Sequence, residues 1–508
     1  LTEPTHYSAR LGQAPAEALQ AYHAAPLLAE SSKVFDIYLW ILKAHALMLA
    51  EQEIIARDHA AAILAELVAM GEAGIDALTL RPDLNDLYMN MQMIIMERLG
   101  QDIGGRLHTA VSRNDFDITE GRLYTRARIH ISVSALLELM GALLELADAH
   151  AETVMPGYTH HSQAAQPVTL GHFLLAHYDV FNRDVQRHFE AYDVCNLSPM
   201  GAGALATTGF PINRQRTASL LGCAGLVENS IDATGGQDFL LQFGSATAIA
   251  CSNMGRLAES LLVWNTAEFG MIVLADKYCD ISSIMPQKKN PVALEIIRAE
   301  SIKVPGGLIQ SFGVLKAIPL ANGREPNYVS GPIYEGSEKL EVLASVFADI
   351  IATLTVRPEV MLEKAKKDFS TTTELADEIV RQTGLAYHQT YLVTGKLVAI
   401  VHGRGQSVDA ITSALLDEVA EDILGESLGL PEAVVRRALD PVQNVQARSI
   451  TGGPAPKEVR RMLQTRRQTH EQLAERLNSQ RTALAEAQTG LDETVADLIG
   501  IKSIGKNS

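Results

Sequence analysis

Cysteine is scarce in this chain: 4 in 508 residues, at Cys195, Cys223, Cys251 and Cys279. They fall 28 residues apart in neighbourhoods that share nothing. No pair has the close spacing of a metal site, so a disulfide scaffold and a zinc module are both excluded. Positive charge is short as well, with 43 Lys and Arg against 60 Asp and Glu and a formal net charge of -17. That balance opposes a broad grip on phosphate backbones and argues against a nucleic-acid partner. Long apolar runs are missing: the most apolar stretch, residues 37–50, is interrupted by Lys43 and His45 and is too short to span a bilayer. Leu1 to Pro15 lacks the basic and apolar regions of a secretory signal. The expectation is a soluble cytoplasmic protein with reduced thiols and no membrane partner. Gly and Pro are scattered, and no 20 to 50 residue repeat is visible, which excludes disordered and solenoid architectures.

What is present is helix. With 47% apolar and 20% charged residues the chain can fill a large core. Residues 36–70 hold an amphipathic rhythm without Pro or Gly and read as one helix. Ala250, Met254, Leu257, Leu261 and Trp264 step by 4, 3, 4 and 3, the seam of packed helices. Pro167 suits a first helical turn, so a helix is expected over about 167–192, and residues 456–487 read as a charged, exposed helix. Breakers cluster at 155–159, 198–211, 234–236, 279–291, 319–332, 358 and 451–456. Boundaries near 110 and 358 give an N-terminal helical domain (1–110), a central long-helix domain (111–358) and a C-terminal helical domain (359–508).

The chemistry lies in three polar clusters. Gly201 to Ala206 formally fits a relaxed dinucleotide fingerprint, but no strand precedes it and Gly209-Phe210-Pro211 interrupts it, so a tight backbone turn is expected. No Walker loop, His-Glu-x-x-His helix or Gly-x-Ser-x-Gly elbow occurs, and neither a metal nor a cofactor is expected. Ser282 to Pro291 is different, because it combines two hydroxyls, two ammonium groups and a carboxamide before a helix start at Pro291, a combination suited to an anion. Ser112-Arg113-Asn114-Asp115 and Gly157-Tyr158-Thr159-His160-His161 are similar in character, with structural capping as the alternative reading. Arg113 can bind a carboxylate in bidentate fashion and Lys288 offers a point charge. Histidine is the side chain that moves protons near neutral pH, which suits His160. Cofactor-free proton chemistry beside the carboxylate of a small polyanion is the reading.

These clusters resemble the three blocks of the fumarase/aspartase superfamily, whose most specific loop is Gly-Ser-Ser-x-Met-Pro-x-Lys-x-Asn. The chain is most similar to the argininosuccinate lyase branch, through Leu107 to Thr109, Ser112 to Asp115, Met155 to His160, Gln166 to Thr169, Pro199 to Pro211, Asn229 to Asp232 and Thr451 to Gly453. The resemblance implies an all-α, three-domain subunit whose long middle helices assemble as a homotetramer, with each active site built from three subunits. It also implies reversible anti elimination of an amine from an N-substituted aspartate, releasing fumarate. By matching positions Ser282 is the general base, with His160 its rival, since an alcohol needs fixed donors or positive charge to act as a base. Lys288 and Asn290 would hold the carboxylate where negative charge grows; Thr159 and His160 would bind substrate and assist proton transfer. Ser112, Arg113 and Asn114 would hold the succinyl carboxylates, and Ser283 and Met285 belong to the same substrate-binding loop.

Departures bear on the amine. Where argininosuccinate lyases carry Tyr, Gln and Lys to grip the arginine half, the corresponding positions are Asn322, Asn327 and Ser330. Tyr88 replaces a His, Gln237 an Arg and Ile281 the loop's leading Gly, and one extra residue sits between His160 and Gln166. A rebuilt amine pocket of Tyr88, Asn322, Asn327 and Ser330 points to another amine, as in ethylenediamine-N,N'-disuccinate lyases, which release N-(2-aminoethyl)aspartate. The alternative is argininosuccinate lyase itself. More distant readings are a carboxymuconate cycloisomerase and an inactive structural relative.

Overall fold

In the computed structural model, described for residues 16–500, the chain is almost entirely helical. The N-terminal region holds α1 (Phe35–Glu51), α2 (Arg57–Ala73) and α3 (Leu87–Leu99). The expected single helix over 36–70 is broken at 52–56, where Glu53 takes a positive φ of 55° and Ile54 and Ile55 donate back to the Leu49 carbonyl. The break lets Ile55 enter the core and folds α2 back onto α1, so packing overrides a continuous local propensity.

The centre is a bundle of long helices: α4 (Arg113–Ala149), α5 (Leu170–Cys195), α6 (Asp238–Asn265), α7 (Val292–Leu315) and α8 (Ser330–Thr353). Each of α5 and α8 packs along α4, and α6 runs against α5, α7 and α8. Ala250, Met254, Leu257, Leu261 and Trp264 are all buried, as the 4-3 spacing requires. Residues 369–439 hold a separate small core around Leu375, Ile379, Val393, Leu397, Leu416 and Val435. The last helix runs from Pro456 to Ile499, twelve residues past the expected end. Its Leu473 and Leu477 join the bundle core, whereas Leu491 and Val495 join the N-terminal core. Helix α4 is long and apolar enough to cross a membrane, but 61% of its most apolar stretch is buried within the protein. It is a core helix.

Between α4 and α5 the chain forms an antiparallel hairpin, β1 (Val154–Thr159) and β2 (Gln163–Thr169). The helix expected to begin at Pro167 therefore starts at Leu170. Pro167 pairs opposite Pro156 in the hairpin, and Thr169 caps α5 by accepting from the His172 N–H at 3.1 Å. The pairing shifts register between Gly157 and Tyr158, leaving Ala165 without a counterpart. This bulge lies within the segment from His160 to Gln166 where an extra residue is expected.

Candidate active site

The first block is fixed at the N-terminus of α4 by a capping box. The Ser112 Oγ accepts from the Asn114 N–H at 3.2 Å, and the Ser112 N–H donates to Asp115 Oδ1 at 2.9 Å. Asp115 is fully buried, and its Oδ2 also accepts from Gly201 and Gly203, both at 2.9 Å. Burial pushes its carboxyl up to about 6 while these backbone donors pull it down. The glycine segment is thus the tight turn anticipated: Gly203 has φ +63°, and a Cβ there would lie 2.6 Å from the Thr207 carbonyl. Asn114 Nδ2 donates to the Ala204 carbonyl at 2.9 Å, and Arg113 forms an ion pair with Asp86 at 2.7 Å. Asp86 in turn caps α3 by accepting from the Met89 N–H. Arg113 is therefore held by one amino group, and its guanidinium remains partly exposed.

The second block lies at the other end of α4. That helix has 37 residues, so its ends stand about 55 Å apart at 1.5 Å per residue. Thr159 and His160 sit at the hairpin tip, where His160, His161 and Ser162 take φ values of 43°, 54° and 70°. Non-glycine residues in this region are strained, a condition common where side chains must be aimed. Both Thr159 and His160 are exposed. The hairpin's Tyr158 packs on Phe269, and its hydroxyl approaches the Met271 sulfur, beyond the C-terminal end of α6.

The third block follows that same end of α6. Two short strands, β3 (Asp280–Ile281) and β4 (Lys289–Asn290), pair and present residues 282–288 as a loop. Ser283, Met285 and Lys288 are exposed on it, and Asn290 is half-buried at its base. The backbone N–H groups of Met285 and Ile284 converge on Ser282 Oγ, at 3.0 and 3.4 Å. Donors aimed at that oxygen favour its ionised form. Lys289 is tied down by the Leu274 carbonyl and Asp276, both at 2.6 Å. Among the described residues the Lys288 side chain has no partner, so the two lysines are not equivalent. Among the described residues no hydrogen bond or ion pair joins any two of the three blocks.

The family model for the lyases matches residues 24–306, and one for the argininosuccinate lyase C-terminal region matches residues 369–446. The argininosuccinate lyase of Methanosarcina barkeri is 39% identical over 443 residues, covering 87% of this chain and 88% of that protein. That of Methanocaldococcus jannaschii is 36% identical over 459 residues, covering 90% and 93%. The chain belongs to the lyase family. It is a carbon-nitrogen lyase of the fumarase/aspartase superfamily, on the argininosuccinate lyase branch. Among solved structures, that of EDDS lyase in complex with formate superposes with a TM-score of 0.85 at 30% identity, covering 96% of this chain and 97% of the other.

In this lyase the positions named for the amine pocket divide into two groups. Asn327 and Ser330 line a cavity of about 170 Å³ beside the start of α4, together with Asp86, Asp117, Glu120 and Gln237. Asn322 lies nearby, its Nδ2 donating to the Asn114 carbonyl at 3.4 Å. Tyr88 is fully buried behind this wall, its hydroxyl 2.8 Å from His108 Nδ1 and 2.7 Å from Gln92 Nε2, its ring against Phe116. Asp86, Asp117 and Glu120 escape a motif reading because they belong to no block; the signal was the i, i+3 spacing of 117 and 120 on one helical face. Burial and the neighbouring Asp86 charge push Asp117 up to about 7, and burial with the Asp117 charge pushes Glu120 up to about 8.

Proposed function

We propose that this lyase eliminates an amine from an N-substituted aspartate with release of fumarate, and that argininosuccinate is the substrate to test first. Resemblance to argininosuccinate lyases over nearly the whole chain supports that order. Three carboxylate-suited blocks divided between the two ends of a helix about 55 Å long carry the rest of the reading. Such a division makes sense when each site is assembled from three copies in a homotetramer, the near end of one copy meeting the far ends of others. An unpartnered apolar face on α7 fits this arrangement: Ile302 and Ile309 are each 70% exposed and Phe312 is 48% exposed. The four thiols, none in a disulfide, fit a reducing cytoplasm.

In the assembled site Ser112, Arg113 and Asn114 hold the succinyl carboxylates. Ser282 Oγ, whose alkoxide form the converging N–H donors stabilise, removes the proton beside one carboxylate. Lys288 and Asn290 stabilise the negative charge that grows on that carboxylate, and Ser283 and Met285 line the loop around it. The carbon-nitrogen bond then breaks with its electron pair moving to nitrogen, which takes a proton assisted by Thr159 and His160. His160 is the rival base.

A second reading, ethylenediamine-N,N'-disuccinate as substrate, draws on Asn322, Asn327 and Ser330 and on the likeness to EDDS lyase. Purified protein is given each substrate, and fumarate is followed spectroscopically. Fumarate from argininosuccinate at a higher kcat/KM supports the first reading, and the reverse preference supports the second. No fumarate from either contradicts both.

A further inference from the structure

The cavity beside α4 has an unusual chemical balance. Neither Asp117 nor Glu120 makes an ion pair or hydrogen bond with any described residue, although both carboxylates are largely withdrawn from solvent. Asp86 is already committed to Arg113, and Arg324 is the cation on the opposite wall. A third acceptor joins them: Gln237 is 6% exposed, lines the same cavity, and its Oε1 is buried with no partner. Three groups without a partner among the described residues, two of them acids, are costly to hold ionised or unsatisfied in a small cavity unless a ligand supplies the donors and the charge.

We infer that this cavity receives an ammonium group at the distal end of the amine half of the substrate, bound by Asp117, Glu120 and Gln237 Oε1. The inference rests on the lyase reading for what the cation is attached to. The cavity also selects against a distal group that is itself a dicarboxylate, because a second succinyl unit would bring two anions against Asp117 and Glu120, where the nearby cations are Arg324 and an Arg113 already paired with Asp86. A simple diamine or an amino acid such as arginine satisfies the acceptors, whereas N-(2-aminoethyl)aspartate fits poorly. The departure from Arg to Gln at position 237 works in the same direction, since it exchanges a cation in this wall for an acceptor.

The test compares ethylenediamine with propylamine, its isostere lacking the distal ammonium, and with N-(2-aminoethyl)aspartate. Each is added to fumarate with the full-length wild type, Asp117→Asn and Glu120→Gln, and binding of each amine without fumarate is measured by calorimetry. The expected result is a preference of about tenfold or more for ethylenediamine over both other amines in the wild type, in turnover and in binding. That ratio collapses toward one in either variant. A merely structural role for the two acids would lower stability and leave the ratio unmoved. If no amine reacts with fumarate but ethylenediamine binds with the expected ratio, the cation pocket stands while the lyase reading falls. If fumarate adds to amines but the ratio is absent, or N-(2-aminoethyl)aspartate is preferred, the cation pocket falls while the lyase reading stands.

Discussion

At one end of the bundle Arg113 is braced by Asp86, Ser112 is locked in a capping box, and Asp115 ties the 201–203 turn to the helix through two backbone N–H groups. At the other end, among the described residues, Ser282 is held only within its own loop, and His160 projects from a strained hairpin tip with no partner beyond the pairing of its strands. The contrast separates two tasks. Groups proposed to grip the succinyl half are preorganised within one chain, where positioning is secured before substrate arrives. Groups proposed to move protons lie on loops, half-buried at Ser282 and exposed at Thr159 and His160, which fits the proposal that they reach a site on another copy.

The largest expected effect comes from the far end. Ser282→Ala should lower kcat by about a thousandfold or more while leaving the oligomer and substrate binding in place, read by steady-state kinetics and sizing chromatography. Substantial residual turnover would give the base role to His160 or to water. At the near end Arg113→Lys keeps the charge but loses the fork, and KM should rise about tenfold to a hundredfold with a smaller change in kcat. Wild-type kinetics would remove Arg113 from the site.

Two further variants test whether the near end is rigid for the reasons given. Asp115→Ala orphans the N–H groups of Ser112, Gly201 and Gly203, and should cost about 3 kcal/mol in denaturant unfolding. Asp117→Asn should instead stabilise the ligand-free protein, by about 1–2 kcal/mol at pH 8, because it removes a carboxylate held near 7 by burial and the Asp86 charge. The sign follows from linkage. A carboxyl raised from 3.8 to about 7 binds more protons folded than unfolded, so its protonated form supports the fold below pH 4 and that support is lost as pH rises through 7. Glu120 extends the same trend toward 8. Thermal unfolding across this range checks it: a Tm gain for Asp117→Asn that grows with pH is expected, and a uniform loss would contradict it.

Much of this was legible in the residues. The 4-3 seam of Ala250 to Trp264 read correctly because a buried helix face leaves a strong periodic signal, and the 201–203 turn was recognisable from its missing strand. The hairpin at 154–169 was not legible, since Pro167 suits a helix start as well as it suits a strand, and only the Thr169 cap decides between them. The break at 52–56 has no local breaker and arises from packing of Ile55. Asp115 reads as part of a polar block, yet its hydrogen bonds make it a brace. Asp117 and Glu120 read as ordinary solvated charge until the tertiary fold encloses them beside Gln237.

The central claim is that one active site draws on opposite ends of different copies. Arg113→Ala and Ser282→Ala, each inactive alone, are to be mixed, dissociated and reassembled, and fumarate release measured. If the two residues in a site come from different copies, random mixing leaves about a quarter of sites intact, and activity returns toward that fraction of wild type. If mixtures stay as inactive as their parents although mixed oligomers form, both residues act within one chain and the account is wrong.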